Sequence, residues 1–125
     1  MEFTTTEIAA MRKELMVNAF SSLVRQMPMG KTQAYEVIAE HLNISYSTVL
    51  NMPQKGVSEK HARKLPEIAQ RFEILMYPYQ FVPTDVICRS WLEHAYQNDK
   101  GKQIHKHIFG HWERDMTRVK VREAA

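Results

Sequence analysis

Residues Tyr35–Gln54, YEVIAEHLNISYSTVLNMPQ, set two short helical patterns against each other across a tight turn. Ile38, Ala39 and Leu42 are one helical turn apart and share a face, with the small Ala39 where the two helices must approach closely. Asn43 falls where the chain leaves the first helix. A left-handed backbone is expected there, and Asn tolerates it better than any residue except Gly. Ile44 plugs the turn, Ser45 is placed to cap a second helix, and Val49 and Met52 give that helix its inward side. The pattern predicts helices over about Thr32–Leu42 and Ser45–Met52, with Thr32 capping the first and Pro53 stopping the second.

The flanks read as further helices. Thr4-x-x-Glu7 is a capping box opening a helix whose inner stripe is Ile8, Met11, Leu15, Ala19 and Leu23, widened by Met16, Phe20 and Val24. Pro28 and Gly30 end it. Gln54-Lys55-Gly56 reads as a turn, and Ser58 caps a helix beginning SEKHARKL. Pro66 breaks that helix and falls in the first turn of a new one, PEIAQRFEIL. Two prolines in Met76–Pro83 argue for an extended connector packed on the core. Asp85–Tyr96 is helical, Asn98–Gly101 a turn, and about Lys102–Lys120 a last helix with Ile104, Ile108, Trp112, Met116 and Val119 on one side. Five or more helices and no alternating strand pattern give an all-α fold class.

Composition is that of an ordinary globular protein, with 44% hydrophobic and 25% charged residues in 125. One cysteine, Cys88, excludes an internal disulfide framework and suits a reducing cytoplasm. No apolar run approaches the roughly 20 residues needed to span a bilayer, and the acidic start lacks the order of a secretory signal, so a cytoplasmic location and no membrane partner are expected. The net charge of +3 permits a polyanionic partner without demanding one. Residues 28–75 hold six Lys/Arg against five Asp/Glu, whereas Lys100–Arg122 holds seven against two, with three histidines. The basic density therefore lies outside the two-helix unit.

Thr32-Gln33-Ala34, Ala39, Asn43-Ile44-Ser45, Ser47-Thr48-Val49 and Leu65-Pro66-Glu67-Ile68-Ala69 together resemble a phage repressor/Cro-type helix-turn-helix domain, over roughly residues 8–75. The resemblance implies a lambda-repressor-like DNA-binding domain in residues 1–75 and a C-terminal helical extension in residues 76–125. In such domains the start of the second helix enters the major groove, and flanking groups hold phosphates. Carried onto this chain, Tyr46, Ser47, Thr48 and Asn51 would face the groove, with Asn51 suited to adenine. Lys31, Thr32 and Gln33 sit at a helix N-terminus that favours a phosphate. Ser45, Gln54 and Lys55 complete the implied DNA-binding set. The implied function is a sequence-specific transcriptional regulator on double-stranded DNA, a repressor of prophage or mobile-element type, autoregulatory, acting as a homodimer or higher homo-oligomer. The alternative is a protein-interaction adaptor or toxin–antitoxin component that keeps the fold without reading DNA. It draws on the near-neutral charge of residues 28–75 and on the absence of Arg from Ser45–Met52.

Other constellations point less far. His107, His111 and Asp115 line one stripe of the last predicted helix, but no second ligand cluster accompanies them, so no metal or cofactor is expected. Cys88 and His94, six apart on a helix, face different directions, and Cys88 reads as a small buried residue rather than a nucleophile. Without a glycine-rich phosphate loop or a serine elbow, an enzyme is not expected. The methionines, Trp91, Trp112 and the Tyr77–Phe81 cluster supply apolar surface beyond the two-helix unit, which is expected to serve oligomerisation.

Overall fold

The computed structural model describes residues 2–99. Every regular element among them is helical: α1 (Thr5–Gln26), α2 (Lys31–Leu42), α3 (Tyr46–Leu50), α4 (Met52–Lys55), α5 (Glu59–Ala62), α6 (Leu65–Arg71), α7 (Pro78–Phe81) and α8 (Asp85–Asp99). No helix among the described residues is long and apolar enough to cross a membrane. The expected last helix, its His107–His111–Asp115 stripe and Trp112 lie outside the described residues, as does the end of the expected Asn98–Gly101 turn. Asn98 and Asp99 still belong to α8.

Leu15–Val82 forms one compact unit. Its part of the α1 stripe, Leu15, Met16, Ala19, Phe20, Leu23 and Val24, is buried as the periodicity requires. The Phe20 ring lies 5.8 Å from that of Tyr35, joining α1 to α2. Thr32 does not cap α2. The helix starts one residue earlier, and the N-cap is Gly30, extended at φ −69°, ψ 162°, with no side-chain hydrogen bond. Its carbonyl accepts the Ala34 N–H at 2.9 Å, which closes the first turn ahead of Thr32.

The turn after α2 follows the sequence pattern. Asn43 is left-handed (φ 57°, ψ 49°). The Ile44 N–H reaches the Ala39 carbonyl at 3.0 Å and the Asn43 N–H the Glu40 carbonyl at 3.2 Å. This is a Schellman closure, which satisfies two otherwise orphaned carbonyls. Pro53, in contrast, does not stop the helical path. It sits in the first turn of α4, where a missing N–H removes no helical bond, and Asn51 both ends α3 and opens α4. Gln54 and Lys55 are accordingly helical, and Gly56 takes the positive φ of 97° that ends α4. Ser58 caps α5 by accepting the His61 N–H at 3.3 Å.

Pro66 opens α6, as expected. The His41 Nε2 lies 3.1 Å from the Lys64 carbonyl and 3.3 Å from the Glu67 carboxylate, tying α2 to the start of α6. After α6, Glu73 is also left-handed (φ 58°), and the Ile74 N–H bonds to the Ala69 carbonyl at 2.8 Å. The stretch expected to be wholly extended holds one helical turn, α7. Pro78 is compatible with a helix in its first turn, the Gln80 side chain accepts the Tyr77 N–H, and Phe81 is fully buried.

The second unit takes the chain up to Glu14 and from Pro83 onward. The capping box is present in both directions: Thr4 N–H to Glu7 Oε1 at 2.9 Å and Glu7 N–H to Thr4 Oγ1 at 3.1 Å. Ile8 and Met11 are buried, as are Ile87, Cys88, Trp91, Leu92 and Ala95 of α8. Arg12 donates to the Pro83 carbonyl at 3.2 Å and pairs with the Asp85 carboxylate. The Thr84 hydroxyl accepts the Ile87 N–H at 3.3 Å and so caps α8.

Candidate nucleic-acid interface

The Ser45 hydroxyl organises the start of α3. It accepts the Thr48 N–H at 3.2 Å and lies 2.8 Å from the Thr48 hydroxyl and 3.2 Å from that of Ser47. Below this cap Val49 is fully buried and Met52 nearly so, which fixes the inward side of the α3–α4 segment. The outward side then follows from helical geometry: Tyr46, Ser47, Thr48, Leu50 and Asn51 are all exposed. Asn51 uses its backbone to end α3, and its carboxamide makes no capping bond to α4.

Tyr35 links this surface to the start of α2. Its ring is 6.2 Å from that of Tyr46, and the Lys31 ammonium stands 5.6 Å from its centroid, a cation–π contact. One buried ring thus sets a lysine at the N-terminus of α2 beside the N-terminus of α3. Because Gly30 caps α2 without a side chain, no side-chain cap among the described residues accepts the first-turn N–H groups of Lys31, Thr32 and Gln33. A Cβ at Gly30 would meet nothing within 4 Å, so the approach to that helix end is open. An uncapped N-terminus with a neighbouring ammonium suits an oxyanion.

Beside α3 lies a concavity of about 310 Å³ lined by Ser47, Thr48, Asn51, Met52, Lys55, Gly56, Ser58 and His61. Among the described residues no carboxylate lines it. The nearby Glu59 pairs with Arg63 at 3.2 Å. All ten residues singled out in the sequence are exposed. Lys31 and Tyr46 meet through Tyr35, while Ser45, Ser47 and Thr48 form one hydroxyl cluster. Asn51 and Lys55 join Ser47 and Thr48 at the concavity; Thr32, Gln33 and Gln54 lie outside it.

Three further residues belong to this surface beyond the ten that the sequence pattern implies. Ser58 and His61 reach the concavity from α5, which requires the chain to fold back after Gly56. Leu50 is half exposed, and the signal for it was available: it falls off the Val49–Met52 stripe, so an apolar residue there has no inward role.

Elsewhere, burial first of all pushes the Cys88 thiol up to about 11, with Arg12 opposing and Asp85 adding to the shift. It is a protonated core group, unlike a reactive thiolate. Among the described residues no cluster of His, Cys, Asp or Glu could hold a metal. Comparison with known proteins finds no matching family model, no matching curated protein and no matching solved structure.

Proposed function

We propose that the protein is a sequence-specific regulator of transcription that binds double-stranded DNA through a helix-turn-helix of the phage repressor/Cro type. In this reading α2 crosses the backbone and α3 enters the major groove. The observation that carries it is the joint between them. A Schellman closure at Asn43 leads into a Ser45-capped helix, which turns a polar face outward while Val49 is buried. Tyr46, Ser47, Thr48 and Asn51 then face base edges, and Lys31, Thr32, Gln33, Ser45, Gln54 and Lys55 take phosphates. Repression by promoter occlusion, autoregulation, a homo-oligomer matched to paired half-sites, a cytoplasmic location and a prophage or mobile-element setting belong to the same proposal. No cofactor is needed for it.

Electrophoretic retardation of DNA from upstream of the protein's own coding sequence tests the reading. Retardation is expected at low salt, with affinity falling steeply as salt rises. No retardation of that or any other duplex at low salt would sink it. A second reading has its own support, because Leu50 and Tyr46 place apolar surface on α3, which carries neither Lys nor Arg. That surface suits a protein-interaction adaptor, the outcome favoured if DNA is not bound.

A further inference from the structure

Resting on that reading, the outward face of α3 carries a narrower statement about which bases it can read. Of the side chains that face the groove, those already committed within the fold discriminate between bases only weakly, because full readout would break the contacts they make. Ser45 and Thr48 are tied into the hydroxyl cap, with Ser47 alongside, and the Tyr46 ring is set against Tyr35. Among the described residues, two outward side chains remain uncommitted: the carboxamide of Asn51 and the isobutyl group of Leu50, which is 50% exposed. On an ideal helix they project about 100° apart, so they face neighbouring positions along one groove wall. A carboxamide presents one acceptor and one donor, the complement of adenine N6 and N7. An exposed branched alkyl group complements the one apolar feature of the major groove, the C5-methyl of thymine. Guanine is best matched by paired donors from Arg or Lys, and α3 has neither; Lys55, which lines the concavity with Asn51, lies a turn beyond at the end of α4.

We infer that the α3 face selects adenine and thymine, with Leu50 reading a thymine methyl next to an adenine held by Asn51. Leu50 is thereby a specificity-determining residue, and its exposure has a function within the DNA reading rather than in protein association.

The test uses the full chain and duplexes selected by it from a random library. Selected sites should be A·T at the positions where Asn51→Ala and Leu50→Ala lose selectivity. Replacing the thymine by deoxyuridine removes the methyl alone and should weaken binding about fourfold, from the loss of one buried methyl-sized group. Leu50→Ala should bind the thymine and uracil duplexes equally. Because the uracil comparison uses the unaltered protein, it does not depend on the variant folding. G·C at those positions, or equal binding of thymine and uracil duplexes by the unaltered protein, would overturn the inference while leaving DNA binding intact. So would a Leu50→Ala protein that changes oligomeric mass but keeps its thymine preference. If no duplex is selected at all, the underlying DNA reading fails and this inference fails with it.

Discussion

The turns after α2 and after α6 have the same backbone and different consequences. Each ends its helix with a left-handed residue and a bond from the next N–H back to an alanine carbonyl, Ala39 in one case and Ala69 in the other. The first places Asn43 in the left-handed position and leads straight into a helix capped by Ser45. The second places Glu73 there and leads into a loop before α7, whose fixed point is the buried Phe81. An Asn at this position relieves part of the left-handed penalty, whereas a Glu bears about 1 kcal/mol of it. One joint is specified locally, by turn and cap chemistry. The other is imposed from outside, by an apolar anchor eight residues further on.

That contrast can be broken by substitution. Phe81→Ala should have the largest effect, about 3–5 kcal/mol of lost stability in urea unfolding, because it removes the anchor of the second joint. A loss under 1 kcal/mol would show that α7 is held by something else. Next comes Ser45→Ala, expected to cost about 1 kcal/mol by removing the α3 cap and to weaken DNA binding beyond what stability explains. Glu73→Gly should raise stability by roughly 0.5–1 kcal/mol, with relief of the left-handed strain exceeding the added freedom of the unfolded chain. Asn43→Gly should stay within about 0.5 kcal/mol of the parent. Equal responses at 43 and 73 would erase the distinction between the joints.

The smallest expected change in stability is at Gly30. Replacing it with Asp gives α2 a side-chain cap and should alter stability by only a few tenths of a kcal/mol, the usual difference between a Gly and an Asp cap. The same carboxylate would occupy the open helix end, so retardation of DNA should weaken several-fold while thermal stability holds or rises. Unchanged DNA binding would remove the α2 N-terminus from the interface.

The locally specified joint was legible in the sequence for a physical reason: Asn43, Ser45 and the Thr4–Glu7 box act on neighbours within a few residues. Proline was harder to read. Pro53 looks like a stop and is part of a beginning, and the two cases differ only in whether the missing N–H had an intrahelical partner. Pro78 poses the same ambiguity, and it too lies in the first turn of a helix. Thr32 has the chemistry of a cap, but the backbone turned extended at Gly30 instead, a choice that side-chain type alone does not reveal. For the candidate interface, exposure followed from periodicity, so all ten expected residues face outward. The convergence of Lys31 and Tyr46 on Tyr35, and of Ser58 and His61 on the concavity, depends on contacts between elements that no local pattern encodes.

The order of the two compact units along the chain has a consequence for biosynthesis. Leu15–Val82 is one continuous stretch, while the other unit is split around it. A ribosome that has released Val82 has already supplied every residue of the unit with the paired joints. Ile8 and Met11 belong to a unit whose other buried residues, Ile87 and Trp91 among them, are made only after Val82, and Arg12 must wait for Asp85. Synthesis therefore completes the continuous unit, with the candidate reading head, before the split one, an interval in which a chaperone would find Ile8 and Met11 exposed.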